Sequence, residues 1–162
     1  MSTRSRLLIL FIFLLSVNTY GAYSIQPPAT KSLNESEVFA LETQLLTLVN
    51  RERRKAKLPL FTLDSAMSNV SRKHSYDMAM RDFFSHKNKQ GQSPFDRMRQ
   101  AGINFQAAAE NIAYASEVLE IHKNLMNSPG HRANIMNPRY NKIGIGIVPF
   151  KYGLMTTQLF TN

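Results

Sequence analysis

The stretch Ile143-Gly144-Ile145-Gly146-Ile147-Val148 alternates large and small residues with a period of two, the spacing of side chains along a strand. Glycine at every second position weakens a strand, because it brings no side chain to pack. The pattern is tenable only where another element packs close on the glycine face. Leu154 to Phe160 reads as the return strand of a hairpin through Pro149 to Gly153, and Asn111-Ile112-Ala113-Tyr114 as a further short strand. The stretches before and between have helical spacing. Val38, Leu41, Leu45, Leu48 and Val49 form an apolar stripe, opened by Asn34 with Glu37 as its capping-box partner. A second helix opens at Asp64 and carries Met67, Val70, His74 and Met78 on one face. Ser93, Pro94 and Asp96 open a third, which Gly102 stops. A fourth runs from Ser116, with Val118, Ile121, Leu125 and Met126 facing inward, until Pro129 breaks it. Helices first and a small antiparallel sheet at the end make an α+β chain. Its 162 residues leave room for one domain.

The first 24 residues are patterned differently. Arg4 and Arg6 precede an apolar run from Leu7 to Leu15, too short to span a bilayer, and small residues follow at Gly21, Ala22 and Ser24. The expectation is a signal peptide over 1–24, a linker over 25–36 and a folded domain over 37–162. The product is then secreted or periplasmic, with no transmembrane span after cleavage. There is no cysteine, so neither a disulfide nor a cysteine-linked lipid anchor is available. The formal charge is +9, and loss of Arg4 and Arg6 with the leader leaves +7. Outside the cytosol such a charge favours an anionic envelope surface. No nucleic-acid motif accompanies it, and nucleic acid is not an expected partner. The densest basic run is Arg51, Arg53, Arg54, Lys55 and Lys57. It reads either as a solvated helix end, well placed against the helix dipole, or as the surface-binding element itself.

Two histidines sit in apolar-flanked segments, Asp82-Phe83-Phe84-Ser85-His86 and Ser128-Pro129-Gly130-His131-Arg132, and Glu110-Asn111-Ile112-Ala113 lies between them. Two imidazoles and a carboxylate are the raw material of a metal or acid–base site. Pro129 and Gly130 break the preceding helix, and the glycine is expected to let the backbone approach closely, setting His131 against a wall. These segments keep a fixed order with Leu48-Val49-Asn50, Arg53-Arg54, Leu58-Pro59-Leu60, His74-Ser75-Tyr76-Asp77-Met78, Ser93-Pro94-Phe95-Asp96-Arg97 and the isoleucine–glycine repeat. As an ordered set they resemble the CAP superfamily, the group of cysteine-rich secretory, antigen 5 and pathogenesis-related 1 proteins. The likeness runs from about Leu45 to Phe160, and the absence of cysteine resembles its short bacterial members.

The resemblance implies a three-layer α/β/α sandwich with a cleft. Two histidines and two glutamates line its floor, and some members bind a divalent metal there. Carried over, His86, Glu110 and His131 supply three of the four. The second glutamate falls near Ser128 and is missing. Asn111, Ser128 and His74 are expected along the same cleft. Several readings stay open. The cleft binds a small-molecule, lipid or peptide ligand, with zinc or another divalent metal as the implied cofactor. The same three side chains form a hydrogen-bonded network that fixes the cleft floor. The protein is a metal-assisted hydrolase acting on peptide, lipid or cell-wall material, or a basic adhesive module for anionic surfaces. Neither Ser85 nor Ser128 sits in anything like a nucleophile elbow, so a serine hydrolase is not expected. His74 reads as a core histidine, His122 as the edge of the fourth helix, and Met67, Met78, Met126 and Met136 as packing.

Overall fold

A computed structural model describes residues 33–162; the expected signal peptide and most of the linker lie outside the described residues. The elements are α1 (Glu35–Lys55), β1 (Thr62–Leu63), α2 (Ser65–Met80), α3 (Pro94–Gln100), β2 (Ala108–Ala115), α4 (Val118–Asn127), α5 (Pro129–Ile135), β3 (Lys142–Phe150) and β4 (Gly153–Thr161). The sheet order is β1-β3-β4-β2. β4 pairs antiparallel with both β3 and β2, and the two-residue β1 adds one parallel pair at the β3 edge. That strand is too short to show a period in the sequence.

Local chemistry sets the boundaries. Asn34 and Ser93 cap α1 and α3 through reciprocal bonds with Glu37 and Asp96, and the Asp64 side chain accepts from the Met67 N–H. α1 starts at Glu35, two residues inside the expected linker. α4 starts at Val118 rather than Ser116, because the Ser116 hydroxyl and N–H are both spent on the Glu120 carboxylate. Among the described residues no helix is long and apolar enough to cross a membrane.

The layers follow from alternation on β3. Ile143, Ile145 and Ile147 are buried against Leu45 and Val49 of α1, Val118, Ile121 and Leu125 of α4, and Ile135 of α5. Each isoleucine kept from water is worth about 1.5–3 kcal/mol. Gly144 and Gly146 face α2. A Cβ on Gly144 would overlap Met67, and one on Gly146 would overlap the backbone of Ser71 and Arg72. The helix can lie this close because its inner stripe is Ser68, Ser71 and Ser75, all buried. The Ser71 and Ser75 hydroxyls donate to the Gly144 and Gly146 carbonyls at 3.3 and 2.9 Å, and the Ile145 N–H donates to the Ser68 oxygen at 3.2 Å. The close approach that the sequence demands on the glycine face is therefore met by a serine-lined helix. Met67, Val70, Met78, Met98 of α3 and Leu159 fill the rest of that layer, and Met126 and Met136 are half-buried against the other.

The basic run is not uniformly a surface. Arg53 is fully buried, which corrects its place among the surface-binding residues. Its Nε donates to the Pro59 carbonyl at 2.7 Å, one terminal nitrogen to the Ile135 and Asn137 carbonyls, and the other to the Tyr140 carbonyl. The guanidinium lies 3.8 Å from the centre of the Phe61 ring. Arg51, Arg54, Lys55 and Lys57 are exposed. Arg51 and Lys55 lie against Glu52, at 3.4 and 3.0 Å.

Candidate functional site

The edge strand β2 delivers two neighbouring polar residues to opposite faces of the sheet. Glu110 sits opposite Leu159, on the α2–α3 face, and Asn111 opposite Gln158, on the other. The loop after α2 brings His86 to Glu110, with the ring Nδ1 2.9 Å from Oε1. The second carboxylate oxygen accepts from Arg97 on α3 at 2.6 Å. Arg97 also donates to the His86 and Gln92 carbonyls, at 2.8 and 3.1 Å, so one guanidinium fixes both the carboxylate and the histidine's backbone. The Glu110 side chain is 2% exposed and that of Arg97 9%, whereas the His86 ring is half open.

His131 enters on α5. Its backbone carbonyl accepts from the Asn111 side-chain amide at 3.2 Å, and Asn134 donates to the Asn111 side-chain oxygen at 2.8 Å, tying α5 to β2. Gly130 has open space where a Cβ would stand, so the close approach expected there does not occur. Pro129 alone accounts for the break between α4 and α5. The two imidazoles titrate in opposite directions. Its hydrogen bond to Glu110 raises His86 against a smaller opposing effect of burial. Burial, and then the charge of His86, lowers His131. His131 is therefore the neutral ring at pH 7.

The other expected residues fall into place unevenly. Asn111 is fully buried and is the strut behind His131. His74 is buried, and its Nε2 meets the Ser85 carbonyl at 2.9 Å. Burial lowers His74, and the nearby Glu110 charge opposes this. Ser128 is the half-buried junction of α4 and α5, and its side chain makes no hydrogen bond to the three central residues. His122 is not at an edge; it is buried and pushed down by burial, within reach of the charges of Glu52, Arg51 and Lys55 on α1. Arg97 is the residue that sequence reasoning missed.

The donor set limits what a metal ion could use. Both Glu110 oxygens are engaged, one by an imidazole and one by a buried guanidinium. Among the described residues no group of three or more His, Cys, Asp and Glu side chains is arranged to hold an ion. What is left open is His86 Nε2 and the His131 ring. A carboxylate behind the far nitrogen of an imidazole is the usual support of a ligating histidine. The donors left free for an ion are therefore the two imidazoles, with Glu110 behind the His86 Nδ1 and both its oxygens already engaged.

Residues 46–160 match the sequence model of the cysteine-rich secretory protein family, CAP. The uncharacterized protein YkwD of Bacillus subtilis (strain 168) is 40% identical over 126 residues, covering 77% of this chain and 48% of that protein. An extracellular protein containing an SCP domain from Bacillus anthracis superposes with a TM-score of 0.73 at 29% identity, over 80% of this chain and 44% of that one. An outer surface protein from Borrelia burgdorferi gives 0.72 at 19% identity, over 81% of this chain and 96% of that one. The chain thus spans about half the length of YkwD. The three-layer α/β/α architecture is shared with these structures.

Proposed function

The chain belongs to the cysteine-rich secretory protein (CAP) family, and from that premise we propose that it is an exported binding module whose cleft offers two open imidazoles, His86 and His131, to a ligand, with a divalent ion as the bridging group. The observation that carries this reading is the double engagement of Glu110 by His86 and Arg97. A carboxylate clamped by a buried arginine is poorly placed to take a proton from water, which favours binding over hydrolysis. The same clamp favours His86 as a ligand. Glu110 accepts the Nδ1–H, which leaves Nε2 to carry the free lone pair once the ring is neutral. His131 is already kept neutral by burial and by His86. A divalent ion held there would supply a fixed positive charge for an anionic or carbonyl group of the ligand. Export is supported by the Arg-flanked apolar run before residue 24 and by the extracellular and outer-surface relatives.

Calorimetric titration with zinc at pH 7.5 tests the reading. One ion per chain is expected, with a dissociation constant on the order of micromolar. Affinity falls as the pH drops through the raised His86 value, above the ordinary 6.5, because protonated imidazole cannot ligate. His131→Ala abolishes binding. Absence of heat, with no stoichiometric zinc by elemental analysis, would leave the cleft as a hydrogen-bonded floor and remove the ion from the account.

A further inference from the structure

The two edges of the sheet are finished differently. At the β3 edge the Asn141 and Ile143 carbonyls accept from the Thr62 and Asp64 N–H groups at 3.0 and 2.8 Å. Further along, the Ile145 N–H donates to the Ser68 oxygen and the Ile147 N–H to Glu42 Oε1, both at 3.2 Å. Pro149 has no N–H to offer. Side chains and a proline thus blunt that edge against another strand. The same bonds fix which way each strand faces. Main-chain groups alternate sides along a strand. The odd residues of β3 face outward, so its even residues bond the odd residues of β4, and the even residues of β4 bond the odd residues of β2. The even residues of β2, Ala108, Glu110, Ile112 and Tyr114, therefore point their N–H and carbonyl groups off the sheet. Among the described residues no group bonds them there. Water reaches this row. The Glu110 side chain is 2% exposed and the whole residue 8%, so the open part is main chain, and Tyr114 is 42% exposed.

A row of donors and acceptors repeating every second residue, about 7 Å, is the complement of another extended main chain. This row joins the ion cleft to an apolar groove. Its Glu110 end lies beside His86. Its Tyr114 end enters a groove of about 490 Å³ that Phe83, Phe84, Phe150 and Met155 also line. Two turns with positive φ, at Asp82 and Lys151, deliver the phenylalanines, and their side chains pair at 2.9 Å. The Tyr114 hydroxyl is spent on the Phe150 carbonyl at 3.1 Å, which leaves its ring as an apolar wall. Side chains of an added strand alternate between the two faces, and those on the Tyr114 face meet this groove. His86 approaches from one face of β2, and α5 is tied to the other through Asn111. The row is therefore recessed, which admits a single extended chain and keeps out the sheet of a second copy. We infer that the β2 edge docks an extended peptide, which adds a strand at Glu110, Ile112 and Tyr114 and sets an apolar side chain in the groove. This names a ligand class for the cleft and rests on its reading as a binding site.

Nitrogen–proton correlation spectra and amide hydrogen exchange of the mature protein test this, with a capped, uncharged hexapeptide of alternating threonine and phenylalanine as the probe. Saturable shifts along β2 are expected, with a dissociation constant of roughly 1 mM. At saturation, exchange should slow severalfold at Glu110, Ile112 and Tyr114. It should stay unchanged at Asn111 and Ala113, which already bond β4. Phe84→Ala, at an exposed position, should weaken binding about tenfold. N-methylation of alternate peptide residues should abolish binding in one phase and spare it in the other. No saturable shift overturns the proposal; one zinc ion per chain in the same sample would then leave the ion site standing, and no zinc would remove that reading too. Protection spread evenly over odd and even residues overturns it, as does equal binding of the two methylated peptides. Protection of the same amides that grows with protein concentration, without peptide, would assign the edge to a second copy instead.

Discussion

Arg53 and Arg97 are both guanidinium groups sunk into the protein, and their partners separate a structural region from a chemical one. Arg53 has only neutral acceptors, the carbonyls of Pro59, Ile135, Asn137 and Tyr140, with the Phe61 ring beneath it. It joins the end of α1, the loop before β1 and the connection from α5 to β3. Burial without a counter-ion pulls it below the ordinary arginine range. Arg97 has a carboxylate, and through that carboxylate it reaches a titratable ring that is open to solvent. A buried cation that meets only backbone holds loops together. One that meets a carboxylate sets the charge and the orientation of a site.

The largest effect is expected at Arg53. Arg53→Ala strands four carbonyl acceptors, of which those of Ile135 and Tyr140 are buried and cost about 1–3 kcal/mol each when left unpaired, while those of Pro59 and Asn137 are part-buried and can turn to water. A net loss of about 4 kcal/mol follows, or roughly 10 °C in melting temperature for a chain of this size. Urea unfolding measures it. A loss under about 1 kcal/mol would mean that the knot is ornamental and the contrast with Arg97 empty.

Arg97→Ala comes next. It leaves a carboxylate that is 2% exposed with His86 as its remaining partner. Breaking a buried pair from one side costs about 3–5 kcal/mol, and the low end applies because the imidazole stays. The sharper readout is His86 itself. Arg97 pushes its titration down, so removing Arg97 should move the His86 midpoint up in proton NMR. Arg53→Ala should leave that midpoint where it is. Equal shifts in both variants would show that His86 follows general loosening rather than the clamp.

Acid should act on both regions through their buried histidines, His74 beside Arg97 and His122 beside the end of α1. Both are shifted downward by burial, so the unfolded chain takes up protons that the folded chain refuses. Their contribution is complete above the ordinary value near 6.5 and is lost as the pH falls below it. His86 is shifted the other way. Its contribution is present at low pH and lost as the pH rises through its raised value, and it is small because the ring is 52% exposed. The buried pair dominates, and stability should fall by about 1–3 kcal/mol between pH 7.5 and pH 5. Urea midpoints across that range test the sign. A rise in stability on acidification would mean that the His86 pair outweighs both.

The sequence was legible where residues carried a period or a cap. Asn34, Asp64 and Ser93 announce their helices, and the isoleucine–glycine repeat announces both a strand and a close neighbour. That neighbour's serine stripe went unread because serine has no place in a hydrophobic period. Arg53 was readable in principle. Leu45, Val49 and Arg53 stand four apart, so the apolar stripe of α1 runs straight into it while Arg54 and Lys55 turn away. Counting it with a charge run hid that register. At the cleft, motif order located His86, Glu110 and His131, yet nothing local couples Arg97 to Glu110. Their pairing spans thirteen residues and depends on how α3 docks beside β2.

The smallest effect is expected on the outer surface of α1. With Arg53 withdrawn into the core, and Arg51 and Lys55 beside Glu52, Arg54 and Lys57 are the exposed cations of the run that form no ion pair among the described residues. A cation near an anionic membrane contributes about 1 kcal/mol, so reversing both to glutamate should weaken adsorption to phosphatidylserine-containing vesicles by roughly ten- to a hundredfold at low salt. Raising the ionic strength from about 0.01 to about 0.15 M shortens the screening length from about 30 to about 8 Å and should erase most of the difference. Co-sedimentation at the two salt concentrations measures both. Folding should be unchanged, because neither side chain reaches the core, and this sets them apart from Arg53. Adsorption that is equal in the variant and the wild type, or that persists in high salt, would identify Arg54 and Lys57 as a solvated helix end that complements the α1 dipole and no more.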